Sequence, residues 1–153
     1  MSDEHEVAIP IAAPAEAVWT LLADVTRMGE WSPECVGCRW LPPSTAARPG
    51  ARFKGTSRNG WHKWSTTSTV IEAEPGQSFV FDVTYFRRPV ARWRYQFESP
   101  APGTATVAES VEDQRGRILR TVSPFITGSK DRSTRNAATM QTTLRRLKAA
   151  AEK

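Results

Sequence analysis

Apolar and polar positions alternate one for one near the start of the chain, with Val7, Ile9 and Ile11 set against Ala8, Pro10 and Ala12. This two-residue period is that of a strand covering a core with one face. From Ala13 the period changes. Ala15, Val18, Trp19 and Leu22 share a helical stripe, Pro14 suits the first helical position, and Glu16 favours the positive end of the helix dipole. Asp24 restarts a second short helix, which Trp31-Ser32-Pro33 ends.

The middle of the chain reads as an antiparallel meander. One strand closes over Arg39 to Leu41, and the next runs from Ala51 to Arg58 with Phe53, Gly55 and Ser57 on its inner face. Asn59-Gly60 predicts a tight hairpin, since both residues tolerate positive φ. Trp61 to Ala73 is a long β-branched strand, Glu74-Pro75-Gly76-Gln77 a turn, and Phe79 to Tyr85 a further strand. A loop at Arg87-Arg88-Pro89 leads into Arg92 to Glu98, where Trp93, Tyr95 and Phe97 line up against four polar residues. After a turn at Pro100 to Thr104, the strand Thr104 to Val111 points Ala105, Val107, Glu109 and Val111 inward. Glu109 breaks the apolar pattern.

Beyond Gly116 the helical period returns. Ile118, Leu119, Val122, Phe125 and Ile126 predict a short apolar helix that Ser123-Pro124 threatens to break. Gly128-Ser129 reads as a break and cap, with Asp131 in the first turn of a long helix on which Ala137, Met140, Leu144, Leu147 and Ala151 recur at three- and four-residue steps. The fold class is therefore α+β: a strand, two short helices, six antiparallel strands and a long C-terminal helix.

At 153 residues and 39% hydrophobic content the chain is expected to form one domain, 1–153, with a single core. No apolar run approaches the length a bilayer requires, and Ser2-Asp3-Glu4-His5-Glu6 is unlike a signal peptide. A cytoplasmic protein without integral membrane association, monomer or homodimer, is the expectation. The net charge is +5 at pH 7, and its densest basic segments, Arg115 to Arg120 and Lys130 to Lys148, are spaced like the wet side of a helix. Without a docking motif this predicts no nucleic-acid partner.

The chain resembles the START-like, helix-grip (SRPBCC) superfamily, most closely its polyketide cyclase/dehydrase branch. The residues that carry the resemblance are Val7 to Ile11, Ala13 to Asp24, Trp31-Ser32-Pro33-Glu34, Gly50 to Gly55, Glu74-Pro75-Gly76 and Thr143 to Lys148. Together they span nearly the whole chain and specify fold more than activity. The resemblance implies a curved sheet of about seven strands gripping the long helix, with two short helices between the first two strands. It also implies an elongated cavity for a hydrophobic small molecule such as a lipid, sterol or polyketide.

Candidate cavity residues are Trp31, Phe53, Trp64, Phe81, Tyr85, Trp93, Tyr95, Glu109 and Met140. Phe79 and Phe97 share the inner face, and any of these aromatics can serve packing instead of ligand contact. Trp31 can equally staple down the second helix. Glu109, the one ionisable side chain driven inward, is the leading polar and catalytic candidate, with Tyr85, Tyr95 or Arg132 as possible partners. A one-residue bulge would instead turn it outward. Cys35-Val36-Gly37-Cys38 lacks further ligands at zinc-binding spacing, since only His5 and His62 remain, and it enters a strand where redox pairs usually open a helix. Plain thiols, a rim position for His62, and no cofactor are expected. No catalytic triad or phosphate loop is present in the sequence.

Three functional classes follow. The first is a carrier or sensor of a hydrophobic molecule. The second is an aromatase/cyclase using Glu109 and a tyrosine for acid/base chemistry. The third is an interaction module with a filled cavity, exposing Trp40 and the loop Pro42 to Gly50.

Overall fold

A computed structural model describes residues 4–127 and 132–153. Strand β1 (Glu4–Ile11) leads into helix α1 (Ala15–Ala23), a 3-10 turn at Val25–Arg27 and the single-turn helix α2 (Met28–Trp31). Six strands follow: β2 (Cys35–Trp40), β3 (Arg52–Asn59), β4 (His62–Glu74), β5 (Ser78–Tyr85), β6 (Arg88–Glu98) and β7 (Ala105–Asp113). Helices α3 (Arg117–Thr127) and α4 (Arg132–Ala151) complete the described chain. The strands form one antiparallel sheet in the order β1-β7-β6-β5-β4-β3-β2. This is the helix-grip architecture that the resemblance implies.

Local chemistry explains the elements. Pro14 stands one residue ahead of the expected position, at the N-cap, where its carbonyl accepts the Val18 N–H at 3.1 Å. Asp24 caps the 3-10 turn by accepting from the Thr26 N–H. Ala15, Val18 and Leu22 are buried, and Trp19 donates its indole N–H to the Ser78 carbonyl at 2.8 Å, fixing α1 to the start of β5. At the β4–β5 turn Gly76 has φ +73°, and a Cβ there would meet Glu16 backbone atoms at 3.5 Å. The positive φ is what calls for glycine, since the approach to Glu16 is ordinary packing contact.

Two hairpins differ from expectation. In the β3–β4 turn the central pair is Gly60-Trp61, with only Gly60 at positive φ, because Asn59 already pairs with His62. The β5–β6 turn is not a loop at Arg87 to Pro89. Tyr85 pairs with Arg88, so Phe86-Arg87 forms a two-residue turn with φ of 48° and 66°. Both values are strained for side chains of this size. Pro89 lies within β6, just before a bulge that carries Val90.

The core is continuous along one face of the sheet. Ile11, Leu22, Phe79, Val107, Leu144 and Leu147 are buried together, while Ala91, Val111 and Met140 form a smaller cluster. On the outer face, Asp82 and Arg92 form a two-bond ion pair directly across β5 and β6. Helix α3 contains Pro124 without breaking, since the lost bond to the Arg120 carbonyl falls near its end at Thr127. Its apolar set is only partly used. Leu119 and Ser123 are buried, whereas Ile118, Val122 and Phe125 are exposed, because the helix docks through its Leu119–Ser123 face. The expected break and cap at Gly128-Ser129 and the first-turn position of Asp131 lie outside the described residues, as do the side chains of His5, Arg132 and Arg135. Among the described residues, no helix is long and apolar enough to cross a membrane.

Candidate functional site

Between the inner face of the sheet and helices α2, α3 and α4 lies a cavity of about 210 Å³. Its apolar wall comes from alternate positions of three strands: Phe53 on β3, Phe81 and Val83 on β5, Ala91 and Trp93 on β6. Small polar residues interrupt this wall, among them Ser57, Thr66 and Ser68 on the sheet and Asn136, Thr139 and Thr143 on α4. At one side Asp113 accepts from the Arg115 backbone N–H at 3.0 Å and from its guanidinium at 3.0 and 2.7 Å. Arg115 also donates to Ser123 Oγ at 3.0 Å and so ties β7 to α3. Burial alone would raise the Asp113 carboxyl, but the Arg115 hydrogen bonds and charge together hold it below its usual range.

The polar centre is Glu109. No bulge occurs where β7 pairs with β1 and β6, so the alternation points Glu109 inward, and it is 1% exposed. Tyr95 is its direct partner across β6 and β7 and donates its hydroxyl to Oε2 at 2.6 Å. Neither Tyr85 nor Arg132 is needed as the partner. Oε1 is buried and has no hydrogen-bond partner among the described residues. Burial pushes the Glu109 carboxyl up to about 8, against a smaller lowering by the Tyr95 hydrogen bond. The Tyr95 hydroxyl is pushed well above its ordinary value, first by burial and then by the Glu109 charge. At neutral pH Glu109 is therefore mainly a neutral acid. With Tyr95 donating to Oε2, the proton is assigned to Oε1, beside the cavity.

Six of the nine candidates, Phe53, Trp64, Phe81, Trp93, Tyr95 and Glu109, line this one cavity. Three stand outside it. Trp31 is buried in the main core with Arg27 stacked over its ring at 5.2 Å, the stapling position for α2. Met140 packs in the smaller cluster with Ala91 and Val111. Tyr85 is half-buried and leans on the exposed Phe86 at the hairpin tip, ring centroids 4.6 Å apart. His62 stacks on the exposed Trp61 at 3.9 Å. Trp40 is half-buried edge-on against Phe53, which removes it from an exposed contact surface.

Several wall residues escaped the sequence reading: Glu34, Cys35, Cys38, Ser68, Asp113, Arg115 and Thr143. Small polar residues at inward positions carry no hydrophobic signal. Asp113-Gln114-Arg115 was legible only as a charge pair, and the inward turn of both cysteines depends on a bulge.

The family model for polyketide cyclase / dehydrase and lipid transport matches residues 3–152. A Polyketide_cyc-like protein, Cgl2372 from Corynebacterium glutamicum, is 30% identical, with 100% of this chain and 91% of that one aligned and a TM-score of 0.61. The di-domain ARO/CYC protein StfQ from the steffimycin biosynthetic pathway is 15% identical, covering 99% of this chain and 52% of that one, at a TM-score of 0.74. A START superfamily protein from Mycobacterium smegmatis is 12% identical over 97% of each chain, at a TM-score of 0.69. The last two likenesses bear on the fold alone. No curated protein matches the chain in sequence. A family match along almost the entire length and a 30% identical Polyketide_cyc-like relative agree, and the chain belongs to the polyketide cyclase / dehydrase and lipid transport family.

Proposed function

We propose that this protein binds a compact apolar molecule bearing a hydrogen-bond acceptor, as a carrier or sensor. The observation that carries the reading is Glu109. A buried carboxyl oxygen without a partner among the described residues costs about 1 to 3 kcal/mol, and a ligand carbonyl or hydroxyl would remove that cost. Phe53, Phe81 and Trp93 supply apolar contact on the same wall. A volume of about 210 Å³ is below the range of about 300 to 1,000 Å³ common for small-molecule pockets. It suits a fused-ring or short-chain ketone better than a full-length lipid. The open volume also weighs against a filled interaction module.

The test is binding of a ring ketone and of its matched hydrocarbon, followed by thermal shift and native mass spectrometry. The ketone is expected to stabilise the protein by about 2.7 kcal/mol at a hundredfold excess over its Kd, and the hydrocarbon at the same concentration by less. Glu109→Leu should erase that preference while leaving hydrocarbon binding in place. Equal shifts for both ligands on the native protein, or none with either, would sink the proposal.

A second reading, aromatase/cyclase chemistry, is favoured by the Tyr95–Glu109 hydrogen bond at 2.6 Å. Glu109 as a neutral acid would donate a proton to a ketone oxygen of a folded polyketide, while the wall fixes which carbons meet. Unchanged product distribution and rate in Glu109→Gln would remove this assignment.

A further inference from the structure

Three features build the two cysteines into the cavity wall. In an unbroken strand, residues three apart point to opposite faces. β2 is broken: Cys35 pairs with Ser57 but Gly37 pairs with Thr56, so Val36 is an inserted residue, 56% exposed. This bulge restores the parity and turns Cys35 and Cys38 to one side. Opposite Cys38 stands Gly55, where a Cβ would lie 3.3 Å from the Cys38 sulfur. A side chain there would crowd the thiol. The outcome is two free thiols, half-buried, with sulfurs 3.6 Å apart, both facing the cavity.

We propose that Cys35 and Cys38 form a redox-active dithiol site at which a hydroperoxide is reduced and the pair closes to an intramolecular disulfide. The Cys35 thiolate attacks the terminal oxygen of R–O–O–H. The O–O bond breaks, and the departing alkoxide takes up the proton that Cys35 released, leaving an alcohol and a Cys35 sulfenic acid. The Cys38 thiol then attacks the Cys35 sulfur. The S–O bond breaks, the S–S bond forms, and water leaves with the Cys38 proton. Two thiols and one hydroperoxide thus give one disulfide, one alcohol and one water, the two electrons passing from sulfur to oxygen.

The two cysteines are not equivalent. The hydrogen bond from Cys38 holds the Cys35 thiol below its usual range, while that same bond and burial push the Cys38 thiol up. Cys35 is the attacking and Cys38 the resolving residue. A zinc role is less apt, since no group of three or more potential ligands occurs among the described residues.

The test is peroxide titration of the reduced, ligand-free protein, with cumene hydroperoxide in one arm and hydrogen peroxide in the other. Loss of both thiols, with the peptide Met28 to Arg39 lighter by two hydrogens and restored by dithiothreitol, is expected at least about tenfold faster than oxidation of glutathione. A faster cumene arm assigns the oxidant to apolar hydroperoxides, and a faster or equal hydrogen peroxide arm assigns it to the small oxidant. Either result sustains the site. Cys38→Ser, whose hydroxyl can still donate to Cys35, should keep reacting but stop at a sulfenic acid that dimedone traps, and Cys35→Ser should slow the reaction about tenfold or more beyond it. No intramolecular disulfide in either arm, a rate no greater than that of glutathione, or equal loss of rate in the two variants overturns the proposal. Because no ligand is present, this result and the ketone experiment can fail independently.

Discussion

The two ends of the sheet's inner face are made from the same strands and the same helix, yet one is solid and the other hollow. At the solid end Phe79 and Phe97 meet Ile11, Leu22, Leu144 and Leu147, all buried in one cluster. Toward the hairpin tips the inward positions of those elements become Glu109 and Asp113 on β7, Ser68 and Thr66 on β4, and Asn136, Thr139 and Thr143 on α4. Hollowness follows from small and polar side chains at inward positions, where nothing large enough fills the space. An excess of aromatics is not its cause, since most of the inward rings are themselves close-packed: Phe53 lies 5.2 Å from Phe81, and Phe79 5.5 Å from Phe81.

Truncation at the two ends should therefore cost different amounts. Leu144→Ala is expected to lose about 2 to 5 kcal/mol in urea unfolding. Trp64→Ala, at a half-buried wall position, should lose less than about half of that while weakening ligand binding. Equal losses would erase the distinction between the ends.

Glu109 gives the next largest effect, and its sign is fixed by proton binding. Its carboxyl is ordinary at 4.5 when unfolded and about 8 when folded, so between these values the folded state binds more protons. Stability then falls as pH rises through that window and levels above it. Glu109→Gln should gain on the native protein, by on the order of a few kcal/mol above pH about 8, with the gain vanishing below about 4.5. Melting curves that stay parallel across pH would refute the buried acid.

Asp113→Asn should cost about 1 to 2 kcal/mol and speed amide exchange in α3, because Arg115 loses its anchor. Exchange confined to its native rate would show that the hollow end does not depend on that tether. The smallest effect is a gain: replacing Phe86-Arg87 with Asn-Gly should add about 1 kcal/mol, since Gly and Asn tolerate the left-handed backbone found there. A loss of stability would mean that the exposed Phe86 ring earns more than its turn strains.

The strand alternation was enough to place Glu109, Tyr95 and Trp93 on the inner face, because the paired stretches Ala91 to Glu98 and Thr106 to Asp113 carry no bulge and leave no choice of side. Where bulges intervene, at Val36 and Val90, parity could not be counted from the residues, and the thiol pair was hidden for that reason. Met140 and Trp31 were correctly inward but lie in packed clusters, since an apolar stripe does not say whether its neighbour is a side chain or a void. The choice of Tyr95 over Tyr85 as partner rested on the β6–β7 register, which the turn between Glu98 and Ala105 sets.

The strand order also has a consequence for biosynthesis. Of the seven strands β1 is made before the others, but its neighbour β7 is made about a hundred residues later, when Val7 can at last find Glu109. Until then a nascent chain carries an unmated edge, and the acid that is to sit in the hollow does not yet exist. Completion of the sheet and birth of the hollow are thus a single late event in translation, and a chain stalled before Ala105 has neither.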